Sequence, residues 1–165
     1  VKDKGLELCI NAIVLCASSI RMNNYHVSIC GDGEQKESAQ EASVLYGCSD
    51  IIEFKGYCNL YDILPTASIF LSLQKEVNCP SQSLLEAIAS GCYCITVNGP
   101  DIDSIIHSNY GAIVEYSVES VSNALVLAME RSEDEKLATV HHAREFAEKS
   151  MSKQFAIDYF NELVG

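Results

Sequence analysis

The stretch Pro80 to Gly91 reads P-S-Q-S-L-L-E-A-I-A-S-G and holds one carboxylate, Glu86, among Leu84, Leu85, Ala87, Ile88 and Ala89. An acid in such apolar company requires a partner, and sugar hydroxyls are external groups that suit it. Ser81 has the chemistry of a helix N-cap, and Pro80 stiffens the approach to it. A cap there leaves the amides near Gln82 and Ser83, with the positive end of the helix dipole, for an anion such as phosphate. The same residues equally describe an ordinary capped helix. Other chemistry-bearing residues fare worse. His141 and His142 are adjacent and are not expected to share one helix face, so a metal pair is not expected. His107 and Glu115 lack ligand spacing, and Glu133-Asp134-Glu135 reads as the acidic first turn of a helix. There is no nucleophile elbow, Walker loop or G-x-G-x-x-G.

The elements that must position Glu86 follow from periodicity. An apolar run, Ile69 to Leu73, precedes the segment and another, Cys94 to Val97, follows it, so the order is strand, polar loop, helix, strand. The loop then opens at the carboxyl end of a strand, where open α/β sheets bind ligands. Upstream, Leu6, Ile10, Ile13, Val14 and Ala17 share a helical face. His26 to Cys30 reads as a strand ending in the Gly31-Asp32-Gly33 turn, and Glu34 to Tyr46 as a helix stopped by Gly47. Ile51 to Phe54 is a strand turned by Lys55-Gly56, and Leu60 to Leu64 a short helix stopped by Pro65. Ser81 to Ser90 is a helix with Gly91 as its stop. Asp101 to His107 reads as a short helix and Ala112 to Val114 as the last strand. Three helices close the chain: Val118 to Arg131, Glu133 to Lys149 and Ser152 to Val164. The alternation predicts an α/β fold, a parallel sheet with helices on both faces. A helix in such a fold normally follows its own strand. The loop Val1-Lys2-Asp3-Lys4 feeding the first helix therefore suggests a central first strand upstream of this sequence.

Bulk properties bound the partners. The 165 residues suit one domain with a core. A formal charge of −12 argues against nucleic acid and against an anionic membrane surface. It leaves room for a nucleotide held by one lysine and a helix N-terminus. The eight cysteines fall mostly in apolar segments and form no C-x-x-C, which reads as reduced, small hydrophobes in a cytoplasmic protein rather than a disulfide framework. No apolar run approaches membrane-spanning length.

The segments K-D-K-G-L-E-L, I-C-G-D-G-E, I-I-E-F-K-G-Y, S-I-F-L-S-L-Q, P-S-Q-S-L-L-E-A-I-A-S-G and Y-G-A-I-V-E-Y occur in one line. Together, from Lys4 to about Val126, they resemble the C-terminal, donor-binding domain of group 1 glycosyltransferases of the retaining GT-B class. The resemblance implies that residues 1–165 are the second of two Rossmann-like halves, with the acceptor-binding N-terminal half absent from this chain. It implies binding of a nucleotide-diphosphate sugar and, in the whole enzyme, transfer of a hexose to a hydroxyl acceptor during polysaccharide biosynthesis. It implies no metal and no cofactor beyond the donor, and leaves room for peripheral membrane association through the absent half. The separate domain is expected to have no turnover.

Site roles carry over position by position. Lys4, beside Gly5, matches a lysine that contacts the diphosphate; a solvated terminal lysine is the alternative. Glu86 matches the second of two family glutamates and would bind ribose hydroxyls. The first falls on Asn78, an amide that can donate to and accept from donor-sugar hydroxyls without charge. Either Asn78 takes the role, or a remodelled loop gives it to Glu76, or the site is inactive. Cys79, Pro80, Ser81 and Gln82 replace a glycine-bearing loop, leaving amides near Gln82 and Ser83 for phosphate. Gly31 and Gly33 resemble a turn lining the nucleotide side of the cleft. Lys55, Gly56 and Tyr57 lie near the base in the family, with the backbone of Gly56 and Tyr57 the better match for base contacts and a half-buried aromatic the even alternative. Asp103 aligns with an acid before a short helix, first as a dipole partner and second as a sugar contact. The rivals are a degenerate, non-catalytic nucleotide-sugar or interaction module, a related epimerase, and a flavodoxin-like signalling domain.

Overall fold

A computed structural model describes residues 4–74 and 81–151. The element order is α1 (Leu6–Leu15), α2 (Ala17–Met22), β1 (Val27–Cys30), α3 (Lys36–Leu45), β2 (Ile52–Gly56), α4 (Leu60–Ile63), β3 (Ile69–Ser72), α5 (Gln82–Ser90), β4 (Tyr93–Val97), β5 (Gly111–Val114), α6 (Val118–Met129) and α7 (Glu133–Ser150). All strand pairs are parallel, but they form two sheets among the described residues, β1-β2 and β3-β4-β5. The single continuous sheet expected from the alternation is therefore split.

The central strand β4 shows why both faces are covered. Cys94 points into a core built with Leu84, Ala87 and Ile88 of α5 and Ala143 of α7. Ile95 and Val97 point the other way, into a core shared with Ile13 of α1 and Val121 and Leu125 of α6. A two-residue period places successive side chains on opposite faces. Ile13, Ile88 and Ile95 are wholly buried, each worth roughly 1.5–3 kcal/mol relative to exposure.

Several boundaries differ from the sequence expectation for local reasons. The first helix breaks at Cys16, whose thiol donates to the Ala12 carbonyl that its own amide also uses. The short helix before Pro65 ends at Ile63, one residue earlier than expected, and Pro65 sits in a following 3-10 turn, Leu64–Thr66, where its missing N–H costs nothing. β2 runs on through Gly56, whose carbonyl accepts the Gly31 amide at 2.6 Å across a bulge between Ile29 and Cys30. The helix expected from Asp101 to His107 is a single 3-10 turn, Ile102–Ser104, entered from Asp101, which is left-handed at φ 56°. The expected helix Ser152 to Val164 lies outside the described residues.

The cysteines also need a correction. Cys30 and Cys58 form a disulfide with Cα atoms 5.9 Å apart, which the reading of uniformly reduced cysteines does not anticipate. Cys9, Cys16, Cys48, Cys92 and Cys94 are free, and all but the half-buried Cys9 are buried. Among the described residues, no helix is long and apolar enough to cross a membrane.

Candidate functional site

Two groups of residues gather at the carboxyl ends of strands. The first lies beyond β3. Ser81 caps α5, its hydroxyl accepting the Leu84 amide at 3.3 Å. Among the described residues, the amides of Gln82 and Ser83 have no acceptor, as the first turn of a helix requires. The helix ends where expected, at Gly91 with φ 90°. Glu86 is half-buried and accepts from the Gln82 side-chain amide at 2.8 Å. The partner that its apolar surroundings demand is thus a neighbour one helical turn away. Ser83 lies within 3.3 Å of the Ser81 hydroxyl.

Lys4 joins this group. It is exposed, and its ammonium donates to the Gln74 side chain at 3.0 Å, just past the end of β3. The approach is fixed by Gly5, which is left-handed at φ 75° and buried against Leu73. A Cβ on Gly5 would come within 2.2 Å of the Leu73 carbonyl oxygen, a distance no side chain tolerates. The start of α1 is thereby pressed onto the exit of β3, and Lys4 is delivered to the same strand end as the loop into α5. Asn78, Cys79, Pro80 and the alternative Glu76 lie outside the described residues.

The second group lies at the ends of β1 and β2. Gly31 and Gly33 have open space on the side where a Cβ would stand. Tyr57 is 92% exposed, so it is not the half-buried loop aromatic of the sequence alternative. Its amide donates to Asp32 at 2.9 Å. Asp32 also accepts from Lys36 at 2.5 Å. The Lys36 ammonium, and then the Tyr57 N–H, hold the Asp32 carboxyl below the usual carboxylate range. Asp32 thus ties the turn after β1 to the loop after β2, alongside the Gly31–Gly56 hydrogen bond and the Cys30–Cys58 bridge. No hydrogen bond or ion pair joins the two groups among the described residues. Lys55 belongs to neither: it pairs with Glu53 at 2.7 Å, two residues back on the same face of β2. Asp103 is exposed within the 3-10 turn.

Sequence reasoning did not single out Asp32 or Gln74. For Asp32 a signal exists, because an acid in the turn before a helix suits a lysine in its first turn and the positive end of the dipole. For Gln74 there is none. The two adjacent histidines are a correction. Ligand atoms of His141, His142 and Glu145 all lie within 4.8 Å of one another, since the two rings turn toward each other, edge to face at 5.8 Å. Glu145 is already engaged there by Lys149 at 2.5 Å.

Comparison with known proteins gives the fold and the family. No curated protein sequence matches the chain. Among solved structures, a glycosyltransferase from Rickettsia africae ESF-5 superposes with a TM-score of 0.84 at 15% identity, covering 99% of this chain and 44% of that one. Anabaena HepE, solved with UDP and glucose, superposes with a TM-score of 0.80 at 15% identity, over 98% of this chain and 44% of that one. The C-terminal domain of LpcC, a glycosyl transferase group 1 family protein from Francisella tularensis, gives 0.79 at 16%, over 91% of this chain and 80% of that one. The chain therefore spans less than half the length of the first two. At these identities the superpositions establish a shared fold. The family model for glycosyl transferases group 1 matches residues 1–149, nearly the whole chain, and the protein belongs to that family.

Proposed function

We propose that this chain binds the nucleotide-diphosphate sugar donor of a retaining glycosyltransferase, and that the whole enzyme transfers a hexose to a hydroxyl acceptor in polysaccharide synthesis. The observation that carries the reading is the strand-end group: open amides at the start of α5, the half-buried Glu86 one turn deeper, and Lys4 held over the exit of β3. Amides, a dipole and an ammonium suit a diphosphate. A carboxylate suits two vicinal hydroxyls, as on ribose. Donors aimed at the bridging oxygen would stabilise the departing diphosphate as its charge develops, and the acceptor would then attack on the same face of the sugar. Gly31, Gly33, Gly56 and the exposed Tyr57 form the second wall, where a base would rest. Anabaena HepE and the pneumococcal O-GlcNAc transferase GtfA have been solved with UDP, which supports a uridine nucleotide as the first ligand to try.

In this proposal the Lys4, α5 and Glu86 groups do the work without a metal, and the acceptor is held by an N-terminal half, with any membrane contact made through that other half. Calorimetry tests the donor site directly. In the full-length protein, Glu86→Ala should weaken UDP binding roughly 10- to 100-fold, the loss of a charge-assisted pair of hydrogen bonds, with the thermal midpoint nearly unchanged. Unchanged UDP affinity would remove Glu86 from the ribose.

Asn78 supports a second reading. The family's glutamate is an amide here, as expected of a non-catalytic module that binds a nucleotide sugar without turning it over. Donor hydrolysis or transfer by the full-length protein excludes that module; tight UDP binding with neither reaction favours it.

A further inference from the structure

A cavity of about 220 Å³ lies at the opposite edge of the β3-β4-β5 sheet from Ser81 and Gln82, against Ile69 and Tyr93, the first residues of β3 and β4. Its charged lining is Arg131, Lys136 and Arg144, and no aspartate or glutamate lines it. In a chain of formal charge −12, with 23 acids against 11 lysines and arginines, three cations around one acid-free hollow is an arrangement that composition does not produce by default.

Two of the three cations, Arg131 and Arg144, keep donors that an anion could take. Arg131 lies over the Tyr93 ring at 4.5 Å and gives one N–H to the Glu135 carbonyl. Arg144 reaches across from α7 and gives one N–H to the Ser90 carbonyl at 3.3 Å. Neither guanidinium has a carboxylate within ion-pair distance among the described residues. Each keeps further donors of its fork, the geometry that grips a phosphoryl group with paired hydrogen bonds. Lys136 does have a carboxylate, the largely exposed Glu133 at 2.8 Å, and its ammonium stands 5.8 Å from the Tyr25 ring. Thr66, Ser68 and Ser90 add hydroxyl oxygens to the rim; Thr66 and Ser90 give their protons to the Ile63 and Glu86 carbonyls, which leaves their oxygens as acceptors for a polyol hydroxyl. The volume is several times the ~30 Å³ share of one water and just below the range of drug-sized sites, so it fits a small metabolite.

We infer that this cavity is a second binding site, for a phosphate monoester of a small polyol. It does not depend on the donor-site reading.

The test uses the full-length protein with saturating UDP present, so that any nucleotide site is filled. Glycerol 3-phosphate should bind saturably, in the millimolar range or tighter and at least several-fold better than inorganic phosphate. It should shift the backbone amide signals of Ser68, Gly91 and Tyr93. The R131Q/R144Q double variant should lose at least tenfold in affinity, while Lys149→Gln, a cation on α7 outside the cavity, should keep it. Failure of glycerol 3-phosphate to saturate, equal affinity for inorganic phosphate, or shifts confined to residues elsewhere would overturn the site. The shift mapping needs only the unmodified protein and decides the matter even where the double variant does not fold.

Discussion

At the residue scale, Gly5 carries more than its sequence context suggests. The pair Lys4-Gly5 draws attention to the lysine, because the lysine has chemistry. The structure shows that the glycine places the lysine: its left-handed backbone and its missing Cβ let α1 start against the Leu73 carbonyl. Gly5→Ala should therefore cost on the order of 3 kcal/mol or more, the sum of a left-handed alanine and a backbone overlap that forces α1 away. Chemical denaturation measures it, with Gly33→Ala as the comparison, since Gly33 has open space and no positive φ. Equal loss at the two positions would mean that Gly5 is not under constraint. Glu86 shows the reverse. Its apolar neighbours made its need for a partner legible, and Gln82, four residues earlier on the same helix, stood at the spacing that supplies one, ahead of the external sugar hydroxyls expected from the sequence. Asp32 was hidden for a further reason: its acceptor role faces the Tyr57 amide, 25 positions away, and backbone donors have no signature in side-chain identity.

At the element scale, helices were easy to find and their ends were decided by capping chemistry. Ser81, Ser117 and Ser132 each accept an amide three residues on, and Ser132 with Glu135 forms a reciprocal capping box. That box fixes α7 at its acidic first turn, which complements the helix dipole. Backbone and side-chain hydrogen bonds from Ser132 hold the Glu135 carboxyl below the usual range. Ser132→Ala should cost about 1 kcal/mol. Ser81→Ala should cost a similar amount and, on the proposed function, also weaken UDP binding, which Ser132→Ala should not do. The two variants together separate a cap that only holds a helix from one that also sets an anion site; equal UDP affinity in both would assign Ser81 to stability alone. Where the reading of elements failed, the cause was local and short-ranged. The Cys16 thiol competes for the Ala12 carbonyl where α1 gives way to α2. Hydrophobic periodicity reports burial and is silent on such a contact.

At the scale of the whole molecule, the α/β class was legible because strand and helix patterns alternate, whereas the division into two sheets and the joining of distant loops were not. The eight cysteines illustrate the difference. Apolar neighbours correctly mark Cys92 and Cys94 as core residues, and burial pushes the Cys92 thiol up to about 11 and raises that of Cys94 further. Such thiols carry almost no thiolate at neutral pH and react slowly. Nothing in composition pairs Cys30 with Cys58, because that proximity is created by β1 and β2 lying side by side. The bridge closes a chain segment with a sequence separation of 28, for which loop entropy gives roughly 3–4 kcal/mol of stabilisation. It also fastens the turn that carries Asp32 to the loop that carries Tyr57. Two measurements follow on protein kept free of reductant. Alkylation after denaturation should label Cys9, Cys16, Cys48, Cys92 and Cys94 but leave Cys30 and Cys58 unlabelled until the protein is reduced. Adding reductant should lower the free energy of unfolding by a few kcal/mol, and the same loss should appear without reductant in Cys30→Ser. Labelling of Cys30 and Cys58 before reduction, or a stability indifferent to reductant, would leave the two loops joined only by the Asp32 and Gly31 hydrogen bonds. On the proposed function, Tyr57 would then be free to move away from the nucleotide.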